Sequence, residues 1–351
     1  MKSSRSSFVR CCHHRWLLGT GLVLVVLLLA LTGASFYMLS YSLSPNPQRA
    51  TENERMLREA EETYPEIVPW IDSLKQAKAL RDTFVVMPTG ERHHAFFVYG
   101  PRPTVRTAVL VHGYHDCAMR MIQLGYVYHH LLGYNILLPD LHAHGQSEGD
   151  AVQMGWKDRL DILRWTAIAD SLFRAYNQWK ISDSVVLARR TMHPETSSTR
   201  MVVHGVSMGA ATTMSLSGEA TPSYIRGFVE DCGYTSVWDE FSYELKEQFS
   251  LPSFPLMWST SMLCDLRYGW SFGEASPLRQ VAKCRKPMLF IHGMDDHYVP
   301  TRMVYPLYEA KRGEKMLYLA PGSQHAVSYR DHRKEYVAYV RAFCKKYVYK
   351  K

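Results

Sequence analysis

The first group of residues that could do chemistry is a serine between two glycines. Residues 205–209 read Gly-Val-Ser-Met-Gly, directly after the apolar run Met201–Val203 and before a stretch of small residues. A sharp turn between a strand and a helix lifts a serine hydroxyl above the sheet, and glycines avoid clashes at the flanking positions. We therefore expect Ser207 to be a catalytic nucleophile; a tight turn without catalytic function is the alternative.

A serine hydroxyl is a weak nucleophile unless a base takes its proton and an acid orients that base. Two loops that follow later predicted strands supply these groups. The loop at 292–300 contains Asp295 and Asp296, and the loop at 320–326 contains His325. The order serine, aspartate, histidine is one of the orders known for such triads, so these loops are expected to meet Ser207.

An oxyanion that develops on the substrate needs two N–H donors. We expect one from the backbone of Met208, directly after the nucleophile. The second is expected from Tyr114, where the chain turns after the apolar run Thr107–Val111. No cofactor is expected, and no metal site either, because the histidine-rich stretches around His129 and His142 lack cysteine or carboxylate ligands at metal-binding spacing.

The elements that must position these residues alternate between strand and helix. Eight short apolar runs are separated by amphipathic stretches or turns, and parallel strands require such crossover helices. The first two runs have no helix between them and should form an antiparallel hairpin. The predicted strands are Thr83–Met87, His94–Tyr99, Thr107–Val111, Asn135–Leu138, Met201–Val203, Ile225–Val229, Met288–Ile291 and Met316–Leu319. This pattern predicts an α/β fold with a mostly parallel eight-stranded sheet and helices on both faces, in a domain over residues 81–351.

The N-terminal region predicts a membrane anchor. No residue from 16 to 43 is charged, and this run is long enough to span the hydrocarbon core. Positive charges precede it, so residues 1–15 should be a cytoplasmic tail and the catalytic domain should be extracytoplasmic, on the periplasmic or extracellular face. A cleaved signal peptide is the alternative. Residues 44–80 read as a helical linker.

Charge and cysteine content exclude several classes of protein. The 351 residues carry a formal charge of +8, and four of these charges precede the anchor, which leaves 37 basic against 33 acidic residues beyond it. Such a weak, dispersed excess gives no reason to expect a nucleic-acid partner. No obligatory protein partner is evident. Seven cysteines do not make a disulfide scaffold, although Cys264 and Cys284 are a possible pair.

These motifs resemble the α/β-hydrolase superfamily over residues 80–350. The stretch 138–149 resembles the superfamily's D-x-R-G-H-G-x-S-x-G loop, with His142-Ala143 where Arg-Gly is usual. The resemblance of the loop at 292–300 selects Asp296 over Asp295 as the acid. Some members take the acid from the loop after the sixth strand, which makes Asp231 an alternative. The chain looks closest to membrane-anchored bacterial serine hydrolases of the lysophospholipase-like and serine-aminopeptidase-like branch.

The resemblance implies a cap over residues of about 235–285. This stretch is longer than one crossover helix requires and is rich in aromatic side chains, which would suit an acyl substrate. The leading hypothesis is a serine hydrolase that cleaves small-molecule or lipid carboxylic esters through an acyl-enzyme. A serine-aminopeptidase-like peptidase with the same triad is a second hypothesis. A catalytically inactive, membrane-anchored binding module is a third.

Overall fold

One eight-stranded sheet forms the framework of the protein. The computed structural model describes residues 4–185 and 198–349. The strands are β1 (Arg81–Val86), β2 (Arg92–Val98), β3 (Arg106–Val111), β4 (Asn135–Pro139), β5 (Arg200–Val206), β6 (Ile225–Asp231), β7 (Met288–Gly293) and β8 (Lys315–Ala320). Their order is β1-β2-β4-β3-β5-β6-β7-β8, and in the described chain β2 alone runs antiparallel to its neighbours. This is the α/β-hydrolase fold, which confirms the predicted fold class.

The strands are longer than the apolar runs that predicted them. In β6 the ladder with β5 continues through the polar residues Glu230 and Asp231, which lie opposite Gly205 and Val206. Backbone hydrogen bonds hold these residues in the sheet, although their side chains do not continue the apolar pattern. The extension places the end of β6 directly beside the turn that contains Ser207, whose N–H donates to the carbonyl oxygen of Asp231 at 2.8 Å.

The described residues contain twelve α-helices. They are α1 (Ser4–Leu43), α2 (Arg49–Thr63), α3 (Val68–Gln76), α4 (Ile122–Tyr126), α5 (Asp158–Val185), α6 (Met208–Ser217), α7 (Val237–Phe249), α8 (Leu256–Tyr268), α9 (Pro277–Lys283), α10 (Val304–Ala310), α11 (Ser328–Asp331) and α12 (Arg333–Phe343). Helices α11 and α12 are separated at His332, whose φ of −131° is not helical. The sequence predicts a long polar connection over residues 178–199, and residues 186–197 of it lie outside the described residues.

The segment expected to be a linker contains two helices that pack on the domain. Helix α2 ends before Pro65, because a residue that precedes proline avoids the helical conformation. The side chains of Met56 and Trp70 belong to the hydrophobic core of the domain. The amide of Asn53, also on α2, donates to Asp140 at 2.9 Å. This bond and the core contacts attach the segment to the sheet.

A second compact unit consists of residues 1–42 and 241–274. Its N-terminal helix α1 includes a stretch, Leu18–Leu43, that is long and apolar enough to cross a membrane. Near the end of that stretch, Tyr41 donates a hydrogen bond to Gln248 on α7 at 2.9 Å. Within this unit Cys264 is a buried thiol, and so is Cys284 in the sheet-containing unit, so the possible disulfide is not formed.

Candidate active site

The turn after β5 holds Ser207 in a strained conformation. Its φ of 57° and ψ of −121° are unusual for a residue with a side chain. A Cβ atom on Gly205 would lie 1.9 Å from the carbonyl oxygen of Gly209, and one on Gly209 would lie 2.1 Å from the carbonyl oxygen of Val111. Both positions therefore need glycine, and the turn places Ser207 at the N-cap of α6.

The structure brings Ser207, His325 and Asp296 into one chain of hydrogen bonds. The Nε2 atom of His325 lies 2.9 Å from the hydroxyl oxygen of Ser207. The Nδ1 atom of the same ring lies 2.7 Å from Oδ2 of Asp296. Because a carboxylate accepts, Nδ1 carries the proton, and Nε2 is left to accept from the serine hydroxyl. This is the protonation state that a general base requires before it activates a serine.

Asp296 is held rigidly by its own loop. Its Oδ1 atom accepts the backbone N–H groups of Tyr298 and Val299, each at 3.0 Å. Burial of Asp296 would raise its pKa, but the hydrogen bond from His325 and the nearby imidazole of His292 outweigh burial and lower the pKa to about 2. Asp296 is therefore ionised at neutral pH, whereas the neighbouring Asp295 is exposed.

The alternative acid, Asp231, is bound into a different network. Its Oδ2 atom accepts the hydroxyl of Tyr336 at 2.9 Å, and that hydroxyl lies 3.1 Å from Nε2 of His204. On the other side of the ring, the hydroxyl of Tyr128 lies 3.1 Å from Nδ1 of His204. Burial raises the pKa of Asp231 to about 6. The observed side-chain hydrogen bond of Asp231 thus goes to a tyrosine, and that of Asp296 goes to His325.

The two backbone segments from which oxyanion donors are expected lie next to Ser207, and their role as donors stays a prediction. Met208 is the first residue of α6, and the N–H at that position has no acceptor within its own helix. In the loop after β3, a Cβ atom on Gly113 would lie 3.4 Å from Cβ of Ser207, so the residue that precedes Tyr114 lies against the nucleophile. The ring of Tyr114 stacks on His115, with centroids 3.9 Å apart.

A cleft of about 430 Å³ opens beside Ser207 and His325. One part of its lining comes from α2, which the sequence analysis did not connect with the site. In the cleft, Arg120 donates to Glu59 at 2.9 Å and to Asp116 at 3.0 Å, so both carboxylates are already paired. Further lining side chains include Met56, Ala60, Tyr64, Leu124, Tyr298, Tyr329 and Arg330.

The spacing of Met56, Ala60 and Tyr64 is the signal that could have identified this wall. Residues four apart share one face of a helix, so this spacing predicts an apolar stripe that needs a partner surface. The aromatic side chains of the expected cap were instead predicted to line the substrate pocket. Their role in substrate binding stays a prediction, as do the boundaries of the cap.

Among the described residues, two groups of side chains have the composition of a metal site. The potential ligand atoms of Cys232, Asp296 and His325 all lie within 4.8 Å of one another, but two of these residues already form the hydrogen-bond chain to Ser207. The ligand atoms of Glu91, His93 and His142 meet the same distance limit. Glu91 lies 51 positions before His142 in the chain, so the local ligand spacing around His142 does not reveal this group.

Comparison with known proteins identifies relatives of this chain. The prolyl oligopeptidase family matches residues 167–351, which include Ser207, Asp296 and His325. The uncharacterized protein YqkD of Bacillus subtilis is 31% identical over 246 residues, which are 69% of this chain and 72% of that protein.

Solved structures also resemble the chain. The esterase Pf2001 of Pyrococcus furiosus superposes with a TM-score of 0.58 at 20% identity, over 78% of this chain and 96% of that one. An acylaminoacyl peptidase of Pyrococcus horikoshii superposes with a TM-score of 0.53 at 15% identity, over 79% of this chain and 43% of that one. At these identities the likeness shows the shared fold.

Proposed function

The chain belongs to the prolyl oligopeptidase family of serine hydrolases, and we propose that it cleaves carboxylic esters through an acyl-enzyme on Ser207. The observation that carries this proposal is the continuous chain from Ser207 through His325 to Asp296, which opens on a defined cleft. The strained turn at Ser207 supports it, because strain of this kind persists where function requires the geometry.

The proposed reaction begins when the Oγ atom of Ser207 attacks the ester carbonyl carbon and its proton passes to Nε2 of His325. The carbonyl oxygen gains the negative charge and accepts from the N–H groups of Met208 and Tyr114. Removing one such donor typically costs about 3–4 kcal/mol of transition-state stabilisation. The bond to the leaving alcohol then breaks, and the alcohol takes the proton from His325.

Hydrolysis of the acyl-enzyme repeats these steps with water. His325 removes a proton from the water, the hydroxide adds to the acyl carbon, and Ser207 leaves with the proton that His325 returns. Asp296 stays ionised throughout and stabilises the positive charge that appears on His325 in each half of the reaction, in agreement with its low pKa. The group that changes its protonation state is thus the imidazole.

The pairing of carboxylates in the cleft favours esters over peptides with a free amino terminus. Recognition of an ammonium group would require an acidic side chain with available charge, whereas Glu59 and Asp116 both accept from Arg120. The second candidate is a peptidase that uses the same triad. It is supported by the family match, because the prolyl oligopeptidase family is named for a peptidase. For that candidate, the acidic side chain that binds the ammonium group would come from the expected cap, which contains Asp239, Glu240, Glu244 and Glu247.

A substrate panel tests this proposal. Nitrophenyl esters of increasing acyl length and aminoacyl nitroanilides should be offered to the full-length protein in detergent. We expect hydrolysis of the esters, abolished in Ser207→Ala and retained in Ser223→Ala, which changes an exposed serine. Faster turnover of the nitroanilides would establish the peptidase instead, and turnover of neither class would favour the binding module.

We further propose that α1 anchors the protein with its N-terminus in the cytoplasm and the catalytic domain outside. From Leu22 to Leu29 the leucine and valine side chains are more than half exposed, which suits contact with lipid. The positive charges that precede the helix support this orientation. Protease added to sealed, right-side-out cells should digest the domain, and protection of the domain would contradict the orientation.

A further inference from the structure

Away from Ser207, two buried histidines that lack a full set of hydrogen bonds converge on Glu91, whose Oε2 atom accepts the hydroxyl of Thr89 at 2.8 Å. His93 lies on β2, His142 lies in the loop after β4, and Glu91 directly precedes β2. The side chain of His93 is 0% exposed and that of His142 only 4%. Both ring nitrogens of His93 and Nδ1 of His142 have no hydrogen-bond partner in the structure. A buried imidazole in this state needs an explanation, because nearly all buried polar atoms in native proteins are satisfied.

The distance between His142 and Glu91 matches metal coordination better than hydrogen bonding. Nδ1 of His142 lies 3.4 Å from Oε2 of Glu91, which is long for a hydrogen bond to a carboxylate. Tetrahedral Zn²⁺ with bonds of about 2.0–2.1 Å places neighbouring ligand atoms about 3.3 Å apart. The ligand atoms of all three residues, including a ring nitrogen of His93, lie within 4.8 Å of one another.

Two further carboxylates lie near ring nitrogens of the two histidines. Oδ2 of Asp161 lies 3.9 Å from Nδ1 of His93, and Oδ1 of Asp150 lies 3.9 Å from Nε2 of His142. Histidines that bind a metal usually direct their second ring nitrogen at a carboxylate or carbonyl group, which fixes the orientation of the ring. At 3.9 Å neither carboxylate is hydrogen-bonded to its histidine in this structure, but each lies close enough for a small side-chain rotation to make that bond.

We propose that Glu91, His93 and His142 bind a divalent first-row transition metal, with Zn²⁺ as the best match to two imidazoles and one carboxylate. A water molecule would complete the tetrahedron. The metal joins the hairpin of β1 and β2 to the loop after β4, so its effect is on the stability of this region. His142 supplies a neutral imidazole ligand.

Zinc titration of the full-length protein in detergent tests the proposal. After removal of metal with a chelator, calorimetry should show one Zn²⁺ bound and a raised melting temperature, because binding to the folded state stabilises it. Glu91→Gln and His142→Ala should each weaken binding at least about ten-fold. His130→Ala, which changes an exposed histidine, is the matched control and should bind like the wild type.

A second variant separates this site from the catalytic residues. His325→Ala should keep the zinc affinity and the visible spectrum of bound Co²⁺, because it leaves all three proposed ligands in place. Glu91 is partly exposed, so its replacement by Gln should leave the fold intact, which circular dichroism can check. Loss of zinc binding in His325→Ala alone, full affinity in both ligand variants, or no binding by the wild type would each overturn the proposal.

An independent observation concerns the surface of α8. Its exposed face presents Trp258, Met262 and Leu266 at 66%, 72% and 84% exposure, with Phe254 at 73% just before the helix. Positions four apart share one helix face, so these side chains form a continuous apolar stripe. A stripe of large exposed apolar side chains of this kind marks a surface that contacts lipid or protein.

The neighbour of this stripe identifies lipid as the occupant. The hydroxyl of Ser259 on α8 lies 2.7 Å from that of Ser35, which is in the C-terminal third of the apolar stretch of α1. The exposed aromatic residues Tyr37 and Tyr41 lie at the same end of α1, where an interface belt is expected. We infer that the stripe on α8 inserts into the headgroup boundary of the bilayer that α1 spans. This inference depends on the membrane location in the proposed function.

Brominated lipids test this contact in vesicles that contain the full-length protein. Bromine quenches the fluorescence of nearby tryptophans. Brominated acyl chains should therefore quench the fluorescence of the wild type more than that of Trp258→Phe, and the difference is the contribution of Trp258. Trp165→Phe removes a buried indole and should remove only unquenched emission. Unquenched Trp258 in protein that resists carbonate extraction would overturn this inference alone, whereas extraction by carbonate would overturn the anchor and the inference together.

Discussion

Replacement of Asp296 by Asn tests the assignment of the acid, because the surrounding hydrogen bonds determine how Asn must orient. One carboxylate oxygen of Asp296 accepts two backbone N–H groups, so the amide oxygen of Asn is expected in that position. The amide NH₂ group then faces Nδ1 of His325, which has to accept. The proton of the imidazole moves to Nε2, the atom that should take the proton from Ser207.

Asp296→Asn should lower kcat as much as in other triads whose imidazole is held in the wrong tautomer. In a serine protease the equivalent change lowers kcat roughly 10⁴-fold, which corresponds to about 5 kcal/mol of activation free energy. Asp231→Asn is the matched control, since it also replaces a buried carboxylate by its amide near the same cleft. The hydroxyl of Tyr336 can still donate to the amide oxygen, so activity should stay within about ten-fold of the wild type.

The assay is kcat and kcat/KM on a nitrophenyl ester, with the melting temperature of each variant measured in parallel. Asp296→Asn should lose kcat while it stays folded, and KM should change little, because Asp296 acts on the transition state. The reasoning is refuted if Asp231→Asn loses activity by 10³-fold or more and Asp296→Asn remains nearly as active as the wild type.

Three further predictions concern stability. Gly205→Ala should unfold the nucleophile turn or lower the melting temperature strongly, because the new Cβ would lie 1.9 Å from the carbonyl oxygen of Gly209; Gly273→Ala, with nothing within 4 Å, is the control. The raised pKa of Asp231, about 6 against 3.8, means that its stabilising contribution is complete below about pH 4 and is lost as the pH rises through 6. Asp231→Asn should thus gain up to about 3 kcal/mol relative to the wild type between pH 4 and pH 8, measured by denaturant titration, and no change with pH would contradict the assignment. Tyr336→Phe should cost about 1–3 kcal/mol, because it removes the donor to a buried carboxylate, and a neutral result would show that the network contributes little.

The sheet could be predicted from the sequence because parallel strands that are buried on both faces consist of consecutive apolar residues. All eight runs are strands, and the hairpin of β1 and β2 is antiparallel as expected. The strand ends were less predictable, since backbone pairing continues through polar residues such as Glu230 and Asp231. The break at Tyr64, by contrast, follows from the proline after it.

The part of the candidate site around Ser207 was predictable because one short, contiguous motif determines its local geometry. The strand, turn and helix around Ser207 are contiguous, and the two other loops follow the ends of parallel strands, which meet at one edge of the sheet. Contacts between distant segments were not predictable in this way. The approach of α2 to the cleft and of Glu91 to His142 depends on packing between elements, which the local pattern of residues does not encode.

Mass spectrometry after treatment with a fluorophosphonate probe tests the central claim most directly. The claim is that the imidazole of His325 activates the hydroxyl of Ser207. The account predicts one adduct on the peptide that contains Ser207, absent from Ser207→Ala and formed far more slowly in His325→Gln. An adduct on a different residue, or labelling of Ser207 at an unchanged rate in His325→Gln, would contradict it.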